Sequence, residues 1–217
     1  MPNNVKAVIF DMDGLMIDSE RLYIQIESDM ATEHGRTLTR EVVARMMGQR
    51  PIDSMRIFAE DLSIPVSPVE LLAERDRRLL RRMEYDLELM PGLRETLASL
   101  RGKYALAIAT GATGRFLDLT LDRFNLRGDF SVLVSSDGIQ NGKPHPEIYL
   151  KTIGLLQMPA ECCVVLEDSA NGVRAGSSAG AYSIAVPSEH TAHQDFSSAA
   201  HIASNLLDAC AHILAKG

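Results

Sequence analysis

Val5-Lys6-Ala7-Val8-Ile9-Phe10-Asp11-Met12-Asp13-Gly14-Leu15-Met16-Ile17-Asp18 has two halves of opposite character. The first is an apolar, β-branched run of the kind buried on both faces of a parallel sheet. Such a strand runs into two carboxylates only where it ends, and open α/β sheets collect their ligands at the carboxyl ends of their strands. On a continuing strand Asp11 and Asp13 would point to opposite faces, but Gly14 permits a sharp turn just beyond them. That turn would bring both carboxylates around one metal or phosphate.

From Ser19 to Glu88 no second strand-like run occurs. Helical periodicity predicts helices near 20–34, 39–47, 52–61 and 67–86, broken at Gly35, at Gly48-Gln49-Arg50-Pro51 and at Ile64-Pro65-Val66-Ser67-Pro68. Ser67-Pro68-Val69-Glu70 reads as a capping box with proline at the first helical position. Met90-Pro91-Gly92 marks the return of strand and helix in alternation. Strands are expected at 104–110, 132–134, 162–166, 182–186 and 201–203. Helices are expected to Arg101, at 114–124, 146–156 and 170–179, and to Ala215. Strands separated by helices imply right-handed crossovers and a parallel sheet covered on both sides. The expected architecture is α/β: a doubly wound, Rossmann-like parallel sheet core at 1–18 and 89–217, interrupted by an all-helical cap at 19–88. The junctions near residues 18 and 90 would serve as a hinge.

The chain has 217 residues and a net charge of −7. That acidity opposes a nucleic-acid groove or an anionic membrane surface as partner. No apolar run reaches the length of a membrane span, and no export pattern precedes the first strand, so a cytoplasmic location is expected. Cys162, Cys163 and Cys210 match neither a zinc spacing nor a disulfide framework and are expected to be reduced. His190, His193 and Asp195 lack a third soft ligand, and His145 is explained by its proline-rich turn.

Polar residues gather at the expected strand ends. The first strand ends in Asp11 and Asp13, the next in Thr110-Gly111, a later one in Glu167-Asp168, and Lys143 stands in Gly142-Lys143-Pro144-His145-Pro146. Each has a plainer reading: Thr110 as a helix cap, Lys143 as a solvated loop charge, Glu167-Asp168-Ser169 as an N-cap cluster. Their convergence on one sheet edge favours a site. Carboxylates that close disfavour ionisation unless a cation sits among them, and oxygen-only ligands select Mg²⁺. A carboxylate beside that metal can attack phosphorus while Lys143 and Thr110 orient the phosphoryl oxygens. Asp13 would move one proton, outward to the leaving alkoxide and then back from water.

In order, Asp11-Met12-Asp13-Gly14, Thr110-Gly111, Gly142-Lys143-Pro144 and Glu167-Asp168-Ser169-Ala170-Asn171-Gly172-Val173 resemble the four motifs of the haloacid dehalogenase superfamily. The insert after the first motif is similar to the C1-capped branch, which includes phosphoglycolate phosphatases, β-phosphoglucomutases and pseudouridine 5′-phosphatases. The resemblance implies Asp11 as nucleophile, Asp13 as acid and base, and Thr110, Gly111 and Lys143 as phosphate ligands. It implies Mg²⁺ held by Asp11, the Asp13 carbonyl and Asp168, with Glu167 supporting the metal shell. Asp13 separates the chain from the dehalogenases, and the absence of lysine between Ser19 and Glu88 separates it from phosphonatases.

Phosphomutases share all four motifs. Their cap histidine corresponds to Tyr23 and their loop arginine to Pro51, with Arg50 one place early, so both departures lean toward a phosphatase. Substrate choice is expected from Gly48, Gln49, Arg50, Tyr23 and Asn171. The Arg75, Arg78 and Arg82 face is expected to be solvated or salt-bridged. The partner is then a small phosphorylated metabolite the size of a sugar or nucleoside monophosphate, and the protein a monomer. A receiver-type phospho-switch also combines an acidic pair, a hydroxyl and a lysine. Receivers, however, lack such an insert and carry the phosphorylated aspartate on a later strand than the acidic pair.

Overall fold

The computed structural model describes residues 4–47 and 49–215. In chain order the elements are β1 (Ala7–Phe10), α1 (Ser19–Glu33), α2 (Arg40–Met46), α3 (Pro51–Asp61), α4 (Pro68–Met83), α5 (Leu93–Leu100), β2 (Ala105–Ala109), α6 (Gly114–Phe124), β3 (Val132–Val134), α7 (Glu147–Leu156), β4 (Cys163–Glu167), α8 (Ala170–Ser178), β5 (Tyr182–Ala185), β6 (His201–Ile202) and α9 (Leu206–Leu214). The chain divides into two compact units, one of residues 1–18 and 88–217 and one of residues 19–87.

The first unit is an α/β sheet of order β3-β2-β1-β4-β5-β6, parallel throughout. β1 lies between β2 and β4, with Phe10 opposite Ile108 on one side and Leu166 on the other. This central place explains why all four of its residues are apolar and buried. Ala7, Ile9, Ala107, Val165, Tyr149, Ile153, Ala175 and Ala179 share one cluster, which puts α7 and α8 on one face of the sheet. Val8, Phe10, Ile108 and Leu166, of the opposite parity, are buried as well. Both faces are therefore covered, as a doubly wound sheet requires.

Beyond β1 the chain turns on Gly14, whose φ of 74° is left-handed. The Gly14 amide donates to the Ile17 carbonyl at 2.9 Å and the Met16 amide to the Met12 carbonyl at 2.8 Å, while Met12, Leu15, Met16 and Ile17 are buried. The exit and return strands of this unit are paired: Ile17 bridges Leu89, and the Asp18 amide donates to the Glu88 carbonyl at 3.0 Å.

The second unit is four helices, α1 to α4. α4 opens with the expected capping box: Ser67 Oγ accepts from the Glu70 amide at 3.2 Å, and Glu70 Oε2 accepts from the Ser67 amide at 3.3 Å. The helix ends at Met83 rather than Asp86, and beyond it the Tyr85 amide closes a tighter three-residue turn onto the Arg82 carbonyl at 3.0 Å. Leu71, Arg75, Leu79 and Met83 form its buried stripe at four-residue spacing. Arg75 is thus a buried cation, not a solvated one. Its guanidinium lies 2.9 Å from Asp76, 3.8 Å from Glu27 and 4.9 Å from the centre of the Tyr23 ring. Arg78 pairs with Glu33 and Glu74, and Arg82 lies 3.7 Å from both Asp29 and Asp86, so this arginine face is ion-paired along its length. Among the described residues no helix is long and apolar enough to cross a membrane.

Candidate active site

The sheet unit brings the strand-end residues together around Lys143. Asp11 follows β1 directly and is 5% exposed; Thr110 follows β2 and is fully buried; Glu167 ends β4 and is fully buried, with Asp168 beside it at 4%. Lys143 comes from the loop before α7. Its Nζ donates to Asp11 Oδ1 at 2.5 Å, to Glu167 Oε1 at 2.6 Å and to the Ala109 carbonyl at 3.3 Å, which uses all three of its protons. Thr110 Oγ1 donates to Asp13 Oδ2 at 3.3 Å and accepts from the Ala112 amide at 3.0 Å. Gly111 is exposed, with nothing within 4 Å of where a side chain would begin.

Oxygens of Asp11, Glu167 and Asp168 lie within 4.8 Å of one another, the three-carboxylate group that the described residues offer to a metal. Burial is the largest influence on Asp11 and raises its pKa; Lys143 opposes this, while Glu167 and Asp13 add to it. Burial would also strip the proton from Lys143, but the charges of Asp11 and Glu167 outweigh it and hold the ammonium charged. Lys143 meets two carboxyl groups, Asp11 and Glu167, and Asp168 lies close to both, an excess of negative charge that a divalent cation would offset. All-oxygen donors of this kind suit Mg²⁺.

Two further residues stand at this centre: Tyr149, which the sequence did not single out, and Gly172, which entered only as part of the fourth motif. Tyr149, fully buried in α7, donates from its hydroxyl to Glu167 Oε1 at 2.6 Å, and its ring centre lies 5.1 Å from Lys143 Nζ. Burial, and then the charge of Glu167, hold that phenol well above its ordinary pKa, so it stays a donor. Gly172, in the first turn of α8, has no room for a side chain: a Cβ there would fall inside the carboxyl group of Glu167. Tyr149 follows a periodic apolar helix face and reads from sequence as core. Gly172 sits in the Glu167–Val173 motif, yet nothing local shows that its missing side chain makes room for Glu167.

Other predicted residues have contacts of their own. Asn171 Oδ1 accepts from Arg174 at 2.6 Å, and it is Gly172, one place on, that abuts Glu167. In the helical unit, Arg50 pairs with Asp53 at 2.6 Å, the Gln49 amide donates to the Met46 carbonyl at 3.2 Å, and Tyr23 lies under Arg75. Gly48 falls outside the described residues. His145 Nδ1 accepts from the Glu147 amide at 3.3 Å, which ties it to its own turn, and His190 lies 3.4 Å from its neighbour Glu189.

Residues 8–186, which begin within β1 and include all four motif segments, match the family described as haloacid dehalogenase-like hydrolase. The chain belongs to that family. Among relatives of this haloacid dehalogenase-like hydrolase, the phosphorylated carbohydrates phosphatase of Thermotoga maritima is 38% identical over 81% of this chain and 82% of its own length. The hexitol phosphatase B of Escherichia coli K12 is 34% identical over 86% of this chain and 85% of its own. Among solved structures, CbbY from Rhodobacter sphaeroides in complex with phosphate superimposes with a TM-score of 0.79 at 26% identity, covering 93% of this chain and 95% of that one. The doubly wound core read from the alternation of strands and helices matches the fold of that solved structure.

Proposed function

We propose that this hydrolase is a Mg²⁺-dependent phosphatase that cleaves a small phosphomonoester through an aspartyl-phosphate on Asp11. The observation that carries this reading is the contact of Lys143 Nζ with Asp11 Oδ1 at 2.5 Å, at the buried end of the central strand. It sets a carboxylate nucleophile against a cation able to take a phosphoryl oxygen. Asp11 attacks phosphorus and the bond to the leaving oxygen breaks, with Asp13 giving its proton to the departing alkoxide. Water then attacks the same phosphorus, Asp13 takes its proton, and Asp11 is restored as inorganic phosphate leaves. The contact between Thr110 and Asp13 suits a hydroxyl that orients the proton carrier while facing the phosphoryl group.

Asp11, Asp168 and the main-chain carbonyl of Asp13 would hold Mg²⁺, which when bound supplies positive charge against the phosphoryl oxygens. Glu167 is bonded through both oxygens, to Lys143 and Tyr149 on one and to the amide and hydroxyl of Ser169 on the other, so its main work in this reading is to hold Lys143. Residues 19–87 serve as the cap, and Tyr23, Gln49 and Arg50 are the first side chains to substitute in a search for leaving-group choice.

The names of the Thermotoga and Escherichia relatives point to a phosphorylated sugar or sugar alcohol as substrate, within the metabolite size expected from the sequence. The reading also places the protein in the cytoplasm as a monomer. A panel of sugar, sugar-alcohol and nucleoside monophosphates, assayed for phosphate release with and without Mg²⁺, tests it. Release that requires Mg²⁺ and is lost in Asp11→Asn supports the reading; no release from any ester sinks it. Incubation with β-glucose 1-phosphate and a bisphosphate primer separates the mutase alternative, which predicts glucose 6-phosphate forming faster than inorganic phosphate.

A further inference from the structure

We propose that Tyr149 is a positioning residue for phosphoryl transfer: its hydroxyl fixes Glu167 so that Lys143 is shared evenly with Asp11. The inference rests on the phosphatase reading above. Glu167 Oε1 accepts two short bonds, 2.6 Å from Tyr149 and 2.6 Å from Lys143, while Oε2 accepts from the Ser169 amide at 3.3 Å and its hydroxyl at 3.0 Å. Gly172 lies against the same carboxyl group, which occupies the space a side chain there would take. Both oxygens of the carboxylate are thus held by donors, and the position of its Oε1 sets where the ammonium rests.

The tyrosine does more than fill space there. Oε1 spreads its negative charge over two donors, and removing one leaves the other more tightly held. Without the Tyr149 hydroxyl, Lys143 is drawn toward Glu167 and away from Asp11, the atom about to attack phosphorus. Of the three bonds Lys143 makes, the one to the Ala109 carbonyl is the longest at 3.3 Å and the easiest to exchange for a phosphoryl oxygen. That exchange works only while the other two keep the ammonium beside Asp11. Tyr149 touches neither substrate nor metal in this scheme and acts wholly through Glu167.

The test compares wild type and Tyr149→Phe in Mg²⁺-dependent hydrolysis of p-nitrophenyl phosphate, at a temperature where circular dichroism shows both fully folded. Loss of a bond to a charged group predicts a kcat lower by about tenfold, with KM within about twofold. Tyr182→Phe, whose hydroxyl bonds His212 and the Ala200 carbonyl outside the site, is expected to match wild type. A folded Tyr149→Phe with wild-type kcat overturns the positioning role and leaves the phosphatase reading intact. A wild type that hydrolyses nothing overturns both. Should Tyr149→Phe fold poorly, 3-fluorotyrosine at position 149 keeps ring and hydroxyl and strengthens the donor at the cost of one fluorine of added bulk; kcat is then expected to move by about twofold or more, and an unchanged kcat overturns the proposal.

Discussion

The carboxyl group of Glu167 fills the space that a side chain at Gly172 would need. In a helix, replacing glycine by alanine ordinarily stabilises by roughly 0.5–1 kcal/mol. At Gly172 the sign reverses, because the new methyl would displace the group that holds Lys143. Gly172→Ala is expected to cost about a hundredfold in kcat, the effect of moving a catalytic group by about 1 Å. Steady-state kinetics on the purified variant check this, and an alanine variant of normal activity would show that Glu167 has another place to go.

Gly154, in α7, makes the matching control. It is exposed, and nothing lies within 4 Å of where its Cβ would stand. Gly154→Ala is expected to raise stability by roughly 0.5–1 kcal/mol without changing activity, through the smaller entropy of the unfolded chain. Denaturant unfolding followed by circular dichroism measures it, and a destabilised variant would contradict the open space seen at this position.

How far the sequence carries is clearest from these residues. β1 was legible because a strand buried on both faces must be continuously apolar, and its two trailing carboxylates had no structural reason to be there. The capping box at Ser67 and the alternation after Gly92 follow from equally local rules, and so the parallel sheet was within reach. Tyr149 and Gly172 were not. Their importance lies in contacts with Glu167, a partner on a different element, and local periodicity sees only a core aromatic and a helix glycine. Arg75 shows the same limit: its spacing with Arg78 and Arg82 suggested one solvated or ion-paired face, but packing of α4 puts Arg75 inside, against Glu27 and Tyr23.

Arg75 and Glu27 lead to a prediction about pH. Burial pushes the Glu27 carboxyl up from 4.5 to about 7, although Arg75 draws it back down. Because the folded value lies above the unfolded one, the folded state binds the extra proton between these two values. The contribution of Glu27 to stability is therefore complete below pH 4.5 and lost as pH rises through about 7. The size is roughly 3 kcal/mol at 1.36 kcal/mol per unit of pKa difference. Glu27→Gln is expected to flatten this part of the stability profile. Urea unfolding from pH 5 to pH 8, wild type against variant, checks it; parallel profiles would remove Glu27 as the cause.

Metal binding has its own signature. The clustered carboxyl groups of Asp11, Glu167 and Asp168 repel one another until a cation joins them, so Mg²⁺ is expected to raise the melting temperature. At a hundredfold excess over its Kd the gain is about 2.7 kcal/mol. Chelation by EDTA should abolish the gain, and Asp168→Asn should weaken it. Thermal unfolding across a Mg²⁺ titration reads this directly, and an Asp168→Asn protein with the wild-type shift would place the ion elsewhere.

The account depends above all on a covalent bond between Asp11 and phosphorus. Enzyme mixed with a hydrolysable phosphomonoester can be quenched during turnover, treated with borohydride to reduce any acyl phosphate, digested and sequenced by mass spectrometry. The expected result is homoserine in place of aspartate at position 11 and at no other carboxylate, appearing only when substrate is present. Phosphate release that proceeds with residue 11 unmodified, or reduction at Asp13 or Asp168 instead, would contradict the assignment of Asp11 as the nucleophile.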